Sequence, residues 1–361
     1  MKAGQGECEF FSVKTEKKNA EKLHQWLVAR QLLEHNFETM PSADFIFFPI
    51  KRKLSEKEAK DLKKIVPSFA MNRLLFSPAT KQPKSLKEAL REKLSQEEFS
   101  KLVSSFDTLG NIAIIEIPEE LEKKEKLIAN ALLQSNKSIK TVCKKLGAHQ
   151  GKFRVEPVKI IAGEKNLVAT YRESGCVFKI PVGKAFFSPR LGTERMRIAR
   201  QIKPGEVIGA FFAGVGPFPI VFAKNSQMEA AFAIELNPVA VKFLDENILL
   251  NKAENRIFPV QGDVKKIVPK KFKDFFHRIV MPLPKGAENF LESAMISAHP
   301  KGCVIHFYAF VPAANPYEKI FSLIEKTAKK LCKKTRILHK QKVRAFSKET
   351  IQIVIDFEAR D

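Results

Sequence analysis

The clearest hydrophobic pattern of this chain lies in its C-terminal half. An apolar run at 207–212 leads into Gly214 and Gly216, and Pro217 follows where a proline can open a helix. A second apolar run ends on Glu235, about 20 positions further on. This order predicts a strand, a tight glycine turn, a helix, a strand and a carboxylate. Together these elements form one half of a nucleotide-binding parallel sheet.

The alternation of apolar runs and amphipathic segments extends from about residue 165 onward. It predicts a hairpin across Ser174-Gly175 and a helix from Tyr317 to Leu331 with one apolar stripe. We interpret the lysine-rich stretch 326–343 as a solvated helix face and loop. Strands that alternate with helices predict an α/β fold with a mostly parallel sheet and helices on both faces. The strands predicted after the hairpin are Val207–Phe212, Ala230–Ile234, Ile257–Val260, Arg278–Met281, Cys303–Ala309 and Ile351–Phe357.

Two small α+β domains are predicted to precede this Rossmann-like domain. In the first, extended segments flank an amphipathic helix, and Ser55 with Glu58 forms a capping box for a second helix. The stretch 76–83 carries two prolines and is interpreted as a linker. Beyond it, Ser85 and Ser95 begin two helices of the middle domain. We therefore expect three domains, at residues 1–75, 84–165 and 166–361.

The charge of the chain indicates a polyanionic partner. The 361 residues include 63 Lys+Arg against 40 Asp+Glu, a net charge of +23. Lys and Arg supply most of the non-specific affinity for nucleic acid by neutralising phosphates. A lysine-rich, thermophile-like surface would normally carry matching glutamates, so the one-sided excess favours nucleic-acid binding.

Cysteine, histidine and hydropathy patterns exclude several other classes. The five cysteines are scattered without a C-x-x-C pair, and the histidines lack metal-ligand spacing, so neither a disulfide framework nor a metal site is predicted. His306 is interpreted as a satisfied core residue. The longest uncharged stretch, 207–223, is shorter than the roughly 20 residues that span a bilayer. We expect a cytoplasmic protein without membrane or metal partners.

The type of nucleotide-like ligand follows from the glycines. A dinucleotide fingerprint needs a third glycine, but Pro219 stands at that position, so a dehydrogenase is disfavoured. The third strand ends close to Asp263, which could accept from an adenine amino group, and Glu235 could accept from two ribose hydroxyls. The pattern favours S-adenosyl-L-methionine (AdoMet) as cofactor.

Three segments give the chain a family resemblance: 187–195 (Phe-Ser-Pro-Arg-Leu-Gly-Thr-Glu-Arg), 212–218 (Phe-Ala-Gly-Val-Gly-Pro-Phe) and 247–252 (Asn-Ile-Leu-Leu-Asn-Lys). In this order they resemble archaeal-type tRNA (guanine-N1)-methyltransferases, which modify the guanosine at position 37, next to the anticodon. The resemblance extends from about residue 85 to the C-terminus and is fainter over 1–70. It implies a first domain that recognises the outer corner of tRNA, and two further domains that hold AdoMet and the flipped-out base.

The resemblance also implies roles for individual residues. Methylation of guanine N1 requires a base that removes the N1 proton and a donor where negative charge develops on O6. By resemblance Glu194 is this base and Arg154 this stabiliser. Without the resemblance, the simpler interpretation is that Glu194 forms a surface ion pair with Arg190 or Arg195 and that Arg154 contacts phosphate. The implied cofactor-binding residues are Arg195, Phe212, Gly214, Gly216, Glu235, Leu236, Asp263, Val264 and Pro282, and the implied substrate-binding residues are Arg154, Pro189, Arg190 and Pro284.

Two positions depart from the family pattern. Ala210 replaces a carboxylate that normally lies near the cofactor, and Pro282 replaces an asparagine that helps to hold the target base. Two alternatives therefore stay open. One is a wyosine-pathway enzyme that transfers a methyl or aminocarboxypropyl group to a precursor of the same nucleoside. The other is a non-catalytic tRNA-binding paralogue. In each case we expect a monomer with tRNA as partner.

Overall fold

The computed structural model describes residues 7–78, 85–147, 151, 153, 155–283 and 285–361. The chain divides into two compact units at the boundary between residues 84 and 85. The further division of the second unit near residue 165 stays a prediction. In the part of the chain that is described, no helix is long and apolar enough to cross a membrane.

The first unit is an antiparallel sheet with strand order β2-β3-β1-β4 and two helices. Its core contains Leu23, Trp26 and Leu27 from one face of the first helix. The predicted capping box is confirmed, because Ser55 accepts from the Glu58 N–H and the Glu58 side chain accepts from the Ser55 N–H. The elements are β1 (Cys8–Glu16), α1 (Ala20–Ala29), β2 (Met40–Pro41), β3 (Phe45–Ile50), α2 (Glu56–Ile65) and β4 (Phe69–Phe76).

The second unit begins with a four-stranded sheet of order β5-β6-β7-β8 and a separate hairpin. The hairpin turns at Ser174 and Gly175, as predicted, and both residues have positive φ. Its elements are α3 (Leu86–Leu90), α4 (Gln96–Lys101), β5 (Phe106–Leu109), β6 (Ile112–Ile115), α5 (Glu125–Ser135), β7 (Thr141–Lys145), β8 (Val158–Gly163), β9 (Val168–Glu173) and β10 (Cys176–Pro181).

A seven-stranded sheet of order β13-β12-β11-β14-β15-β17-β16 completes the second unit. The first five strands in this order, β13, β12, β11, β14 and β15, are parallel to one another. Strand β17 runs antiparallel to both of its neighbours, β15 and β16. The strand order reverses at β11 and β14, which is where sheets of this class bind ligands, at the carboxyl ends of the strands. The elements are α6 (Gly192–Ala199), β11 (Val207–Phe211), α7 (Pro217–Asn225), β12 (Ala230–Glu235), α8 (Pro238–Leu250), β13 (Ile257–Gln261), α9 (Val264–Lys271), β14 (Arg278–Met281), α10 (Leu291–Ile296), β15 (Cys303–Pro312), α11 (Glu318–Lys330), β16 (Lys334–Ala345) and β17 (Thr350–Arg360).

The predicted α/β fold with a mostly parallel, Rossmann-like sheet is confirmed, and the strands lie close to their predicted bounds. The interpretation of 326–343 as helix face and loop is wrong beyond residue 333, because β16 is a strand at the edge of the sheet. Edge strands often carry lysines at solvated positions, which mask the hydrophobic alternation of a strand.

Candidate active site

The turn after β11 brings the backbone close to any ligand at the carboxyl edge of the sheet. Phe212, Gly214 and Gly216 all have left-handed φ values, of 57°, 56° and 87°. A Cβ on Gly216 would lie only 2.5 Å from the Leu244 side chain, so helix α8 packs against this turn. Pro217 then begins α7, as the sequence predicts.

Glu235, at the end of β12, is fixed by two backbone donors. The Gly214 N–H donates to one carboxylate oxygen and the Asn237 N–H to the other, each at 2.8 Å. Each oxygen has a further lone pair that these two bonds leave available. The carboxylate is therefore oriented beside the glycine turn and can accept from ligand hydroxyls.

The other predicted cofactor residues follow the neighbouring strands. Asp263 accepts from the Lys265 N–H and caps α9, whose first residue, Val264, is buried. Leu236 directly follows β12, and Pro282 directly follows β14, which pairs with β11. These four residues thus share the carboxyl edge of the sheet with Glu235 and the glycine turn.

Glu194 lies in the first turn of α6 and is 4% exposed. Arg197, one turn later, donates from Nε to both carboxylate oxygens at 3.2 and 3.1 Å. The Tyr308 hydroxyl donates from β15 at 2.8 Å, and the Gln341 amide donates from β16. Burial and then the charge of Glu194 raise the pKa of Tyr308 well above its ordinary value, so its hydroxyl keeps its proton.

The surface-pair alternative for Glu194 is wrong, because neither Arg190 nor Arg195 contacts it. Arg190 is exposed and pairs with Asp107 at 2.6 Å. Arg195 is 1% exposed, and its Nη2 donates to Glu173 at 2.7 Å. Its guanidinium also lies over the rings of Phe187 and Phe218, and Pro189 opens the short 3-10 turn (Pro189–Leu191) before α6. Arg195 is therefore a buried residue that is held by Glu173 and packed against two aromatic rings.

Two of the predicted site residues, Arg154 and Pro284, lie outside the described residues. Ala210 is 1% exposed and belongs to the hydrophobic core. His306 is a buried, hydrogen-bonded residue as predicted, with Asp356 and Arg278 as partners. Within the described ranges no cluster of metal-binding side chains is found.

Several residues of the site were not predicted from the sequence. Arg197, Tyr308 and Gln341 bind Glu194, and Tyr308 and Gln341 lie 114 and 147 positions away from it. No local pattern marks such distant partners. By contrast, Asn247 and Asn251 belong to a segment that carries the family resemblance, and in the structure their role is structural. The two amides bind both the backbone N–H and C=O of Lys179 and Val177 and so hold β10 on α8.

The sequence of this chain is similar to those of known methyltransferases. Residues 169–338 match the model of the TRM5/TYW2 methyltransferase domain, and residues 86–166 match that of the TYW2 N-terminal domain. The chain is 36% identical to Trm5b of Pyrococcus abyssi (strain GE5 / Orsay), a tRNA (guanine(37)-N(1))-methyltransferase. This similarity spans 346 residues, 96% of this chain and 98% of that protein.

Two solved structures are also similar. The complex of aTrm5 with tRNALeu has a TM-score of 0.71 and 29% identity, covering 96% of this chain and 99% of that one. TYW2 of M. jannaschii, solved with AdoMet, has a TM-score of 0.57 and 25% identity, covering 71% of this chain and 99% of that one. The fold, the glycine turn with Glu235, and the similarity over nearly the whole chain lead to one conclusion: the chain belongs to the TRM5/TYW2 methyltransferase family.

Proposed function

We propose that this protein transfers the methyl group of AdoMet to N1 of the guanosine at position 37 of tRNA. The observation that carries this proposal is Glu194, a buried carboxylate on α6 in a chain of the TRM5/TYW2 family. A reaction that must remove the N1 proton needs a positioned base, and a carboxylate can serve as one.

The cofactor fits the carboxyl edge of the sheet. Gly214 has no Cβ, and one built there would meet only the Phe186 carbonyl, at 3.4 Å, so a ligand can approach this backbone. Glu235 is held so that its carboxylate can accept from ribose hydroxyls, and Asp263 could accept from the adenine amino group. AdoMet supplies an electrophilic methyl group on a positively charged sulfur. The further cofactor positions, at Leu236, Val264 and Pro282, are part of the proposal.

The remaining roles are proposed from the proton and electron balance of methyl transfer and from the family resemblance. Guanine N1 forms a bond to the methyl carbon while the carbon–sulfur bond breaks, and its electron pair stays on sulfur. The N1 proton passes to a carboxylate oxygen of Glu194. Arg154 is proposed to stabilise the charge that develops on O6, and Pro189, Arg190 and Pro284 to line the path of the nucleotide.

Charge supports tRNA as the substrate. The excess of 63 basic over 40 acidic residues suits phosphate binding along a large RNA. Edge strand β16, whose Gln341 reaches Glu194, also carries exposed Lys340 and Lys342. The protein is proposed to act as a cytoplasmic monomer, with tRNA affinity that falls steeply as salt rises.

The direct test is incubation with an unmodified tRNA transcript and methyl-labelled AdoMet, followed by nucleoside mass spectrometry. We expect N1-methylguanosine, and none from a matched transcript with adenosine at position 37. A mass increase, by a methyl or an aminocarboxypropyl group, that appears only when the tRNA carries a wyosine precursor would identify the wyosine-pathway alternative, for which Pro282 is the motivation. Calorimetry without detectable AdoMet binding by the folded protein would support the non-catalytic paralogue.

A further inference from the structure

Glu194 shares its guanidinium partner with a second buried carboxylate. Arg197 donates to Glu194 from Nε and to Asp356 from Nη1, and its Nη2 lies between the two carboxylates, 3.1 Å from Glu194 and 3.3 Å from Asp356. Asp356 is 1% exposed and lies on β17. The three side chains form a carboxylate–guanidinium–carboxylate triad across α6 and the sheet.

The histidine beside Asp356 does not neutralise it. Arg278 has only donors, so its 2.8 Å contact with His306 requires the imidazole Nε2 to accept. The His306 Nδ1–H then donates to Asp356 at 2.6 Å. Burial lowers the pKa of His306 despite the Asp356 charge, so the imidazole is neutral at neutral pH. Arg278 is itself balanced by Glu206, at 2.7 Å.

The triad therefore holds two negative charges against one positive charge. An unpaired buried charge is costly, and a like charge favours protonation of one member of such a set. A proton on Glu194 would leave a balanced Arg197–Asp356 pair. Arg197 and the neutral His306 Nδ1–H both donate to Asp356 and so stabilise its charged form, which makes Asp356 the member that stays ionised.

We propose that Asp356 is a positioning residue that strengthens Glu194 as the base, by holding Arg197 away from exclusive pairing with Glu194. This inference rests on the proposed role of Glu194. A carboxylate paired one-to-one with a guanidinium would be a poor proton acceptor, whereas in the triad Glu194 gains a balanced neighbour as it takes the N1 proton.

The groups that contact Glu194 come from three elements, and a fourth element influences it indirectly. Arg197 lies on its own helix, Tyr308 on β15 and Gln341 on β16, and Asp356 on β17 acts through Arg197. Among the side chains that contact Glu194 within the described residues, Arg197 is the single charged group. His339, on β16, contacts Gln341 rather than Glu194. The triad is thus the main electrostatic influence on the base.

The test is the pH dependence of single-turnover methyl transfer by Asp356→Asn at saturating tRNA and AdoMet. With Arg197 left to Glu194 alone, we expect the acidic limb of the profile to move to lower pH by about one unit. A base weakened by about one pKa unit should also lower the plateau rate, by at most about tenfold, because general-base catalysis follows Brønsted behaviour with a slope below one. Glu292→Gln, which breaks the exposed pair with Lys330, is the matched control and should leave the profile unchanged.

A second variant changes the triad in the opposite direction. Arg197→Gln removes the cation and leaves two carboxylates, so the acidic limb should move to higher pH. This variant also keeps the inference testable if Asp356→Asn does not fold, which thermal unfolding will show. A lowered plateau in folded Asp356→Asn without any movement of the limb means a merely structural role and overturns the inference. An acidic limb that does not move in Arg197→Gln also overturns the inference.

The same assay on Glu194→Gln separates this inference from the proposed function. If the limb disappears in Glu194→Gln but stays fixed in the triad variants, only the role of Asp356 is wrong. If the limb persists at full rate in Glu194→Gln, the base has been assigned wrongly and both conclusions fail.

Discussion

The two carboxylates of the candidate site are held in opposite ways. Glu235 accepts from two backbone N–H groups, one 2 positions away just after its own strand and one 21 positions away on the glycine turn after β11. Glu194 accepts from side chains that lie 3, 114 and 147 positions away, on α6, β15 and β16. The proposed cofactor half of the site is thus built by the backbone of β11, β12 and the turns that follow them, and the half around Glu194 by side chains from α6 and two distant strands.

This difference has a physical consequence. Backbone donors are present whatever the surrounding side chains are, so the cofactor half depends on a few conformational requirements, such as glycine at left-handed positions. Side-chain donors exist only if the fold brings the correct residues together. Substitutions should therefore change ligand binding or stability in the first half, and reactivity in the second.

The largest effect is expected for Glu194→Gln. Glutamine keeps the size of the side chain but does not take a proton near neutral pH. Methyl transfer should fall by about 10²–10⁴, the usual worth of a positioned acid–base group. Single-turnover kinetics, with calorimetry of AdoMet and tRNA binding, measure this. Affinities should change little, and a parallel loss of AdoMet binding would show that the two halves are not separate.

Glu235→Gln should give the opposite result. An amide cannot accept from both the Gly214 and the Asn237 N–H, and charge-assisted hydrogen bonds to the ligand are lost. We expect AdoMet affinity to fall by about 10- to 100-fold, measured by calorimetry, with exposed Glu254→Gln as control. At saturating AdoMet the single-turnover rate should recover, and a rate that stays low would contradict the comparison.

A smaller effect is expected from Gly216→Ala. Alanine at a φ of 87°, with its Cβ 2.5 Å from Leu244, should cost about 1–3 kcal/mol in the free energy of unfolding. Urea denaturation measures this. Gly205→Ala is the matched control, since Gly205 has a φ of 79° and nothing within 4 Å of an added Cβ. Equal costs would mean that backbone strain alone, without packing against α8, requires the glycine.

The smallest effect is expected for Gln341→Ala. Arg197 and Tyr308 still bind Glu194 after this change, so the transfer rate should change by less than about tenfold. The same single-turnover assay checks this. A loss as large as that of Glu194→Gln would mean that the edge strand, rather than the buried triad, positions the base.

Much of this protein could be predicted from its sequence. The left-handed Gly214 and Gly216, the helix opened by Pro217 and the acid at the end of the next strand are local features, set by φ restrictions and strand–turn–helix geometry. The mostly parallel sheet could be predicted because strands alternate with helices along the sequence. The edge strand β16 did not, because solvated lysines obscure its pattern.

The sequence by itself determined the order of elements apart from β16, the excess of basic residues and the half of the candidate site that is built from neighbouring backbone. The tertiary structure alone decided that Glu194 is buried, that its partners are Arg197, Tyr308 and Gln341, and that Asp356 shares the guanidinium. The reason is that hydrogen bonds between residues more than 100 positions apart depend on which strands become neighbours. That arrangement follows from the packing of the whole sheet and leaves no periodic signal at any single position.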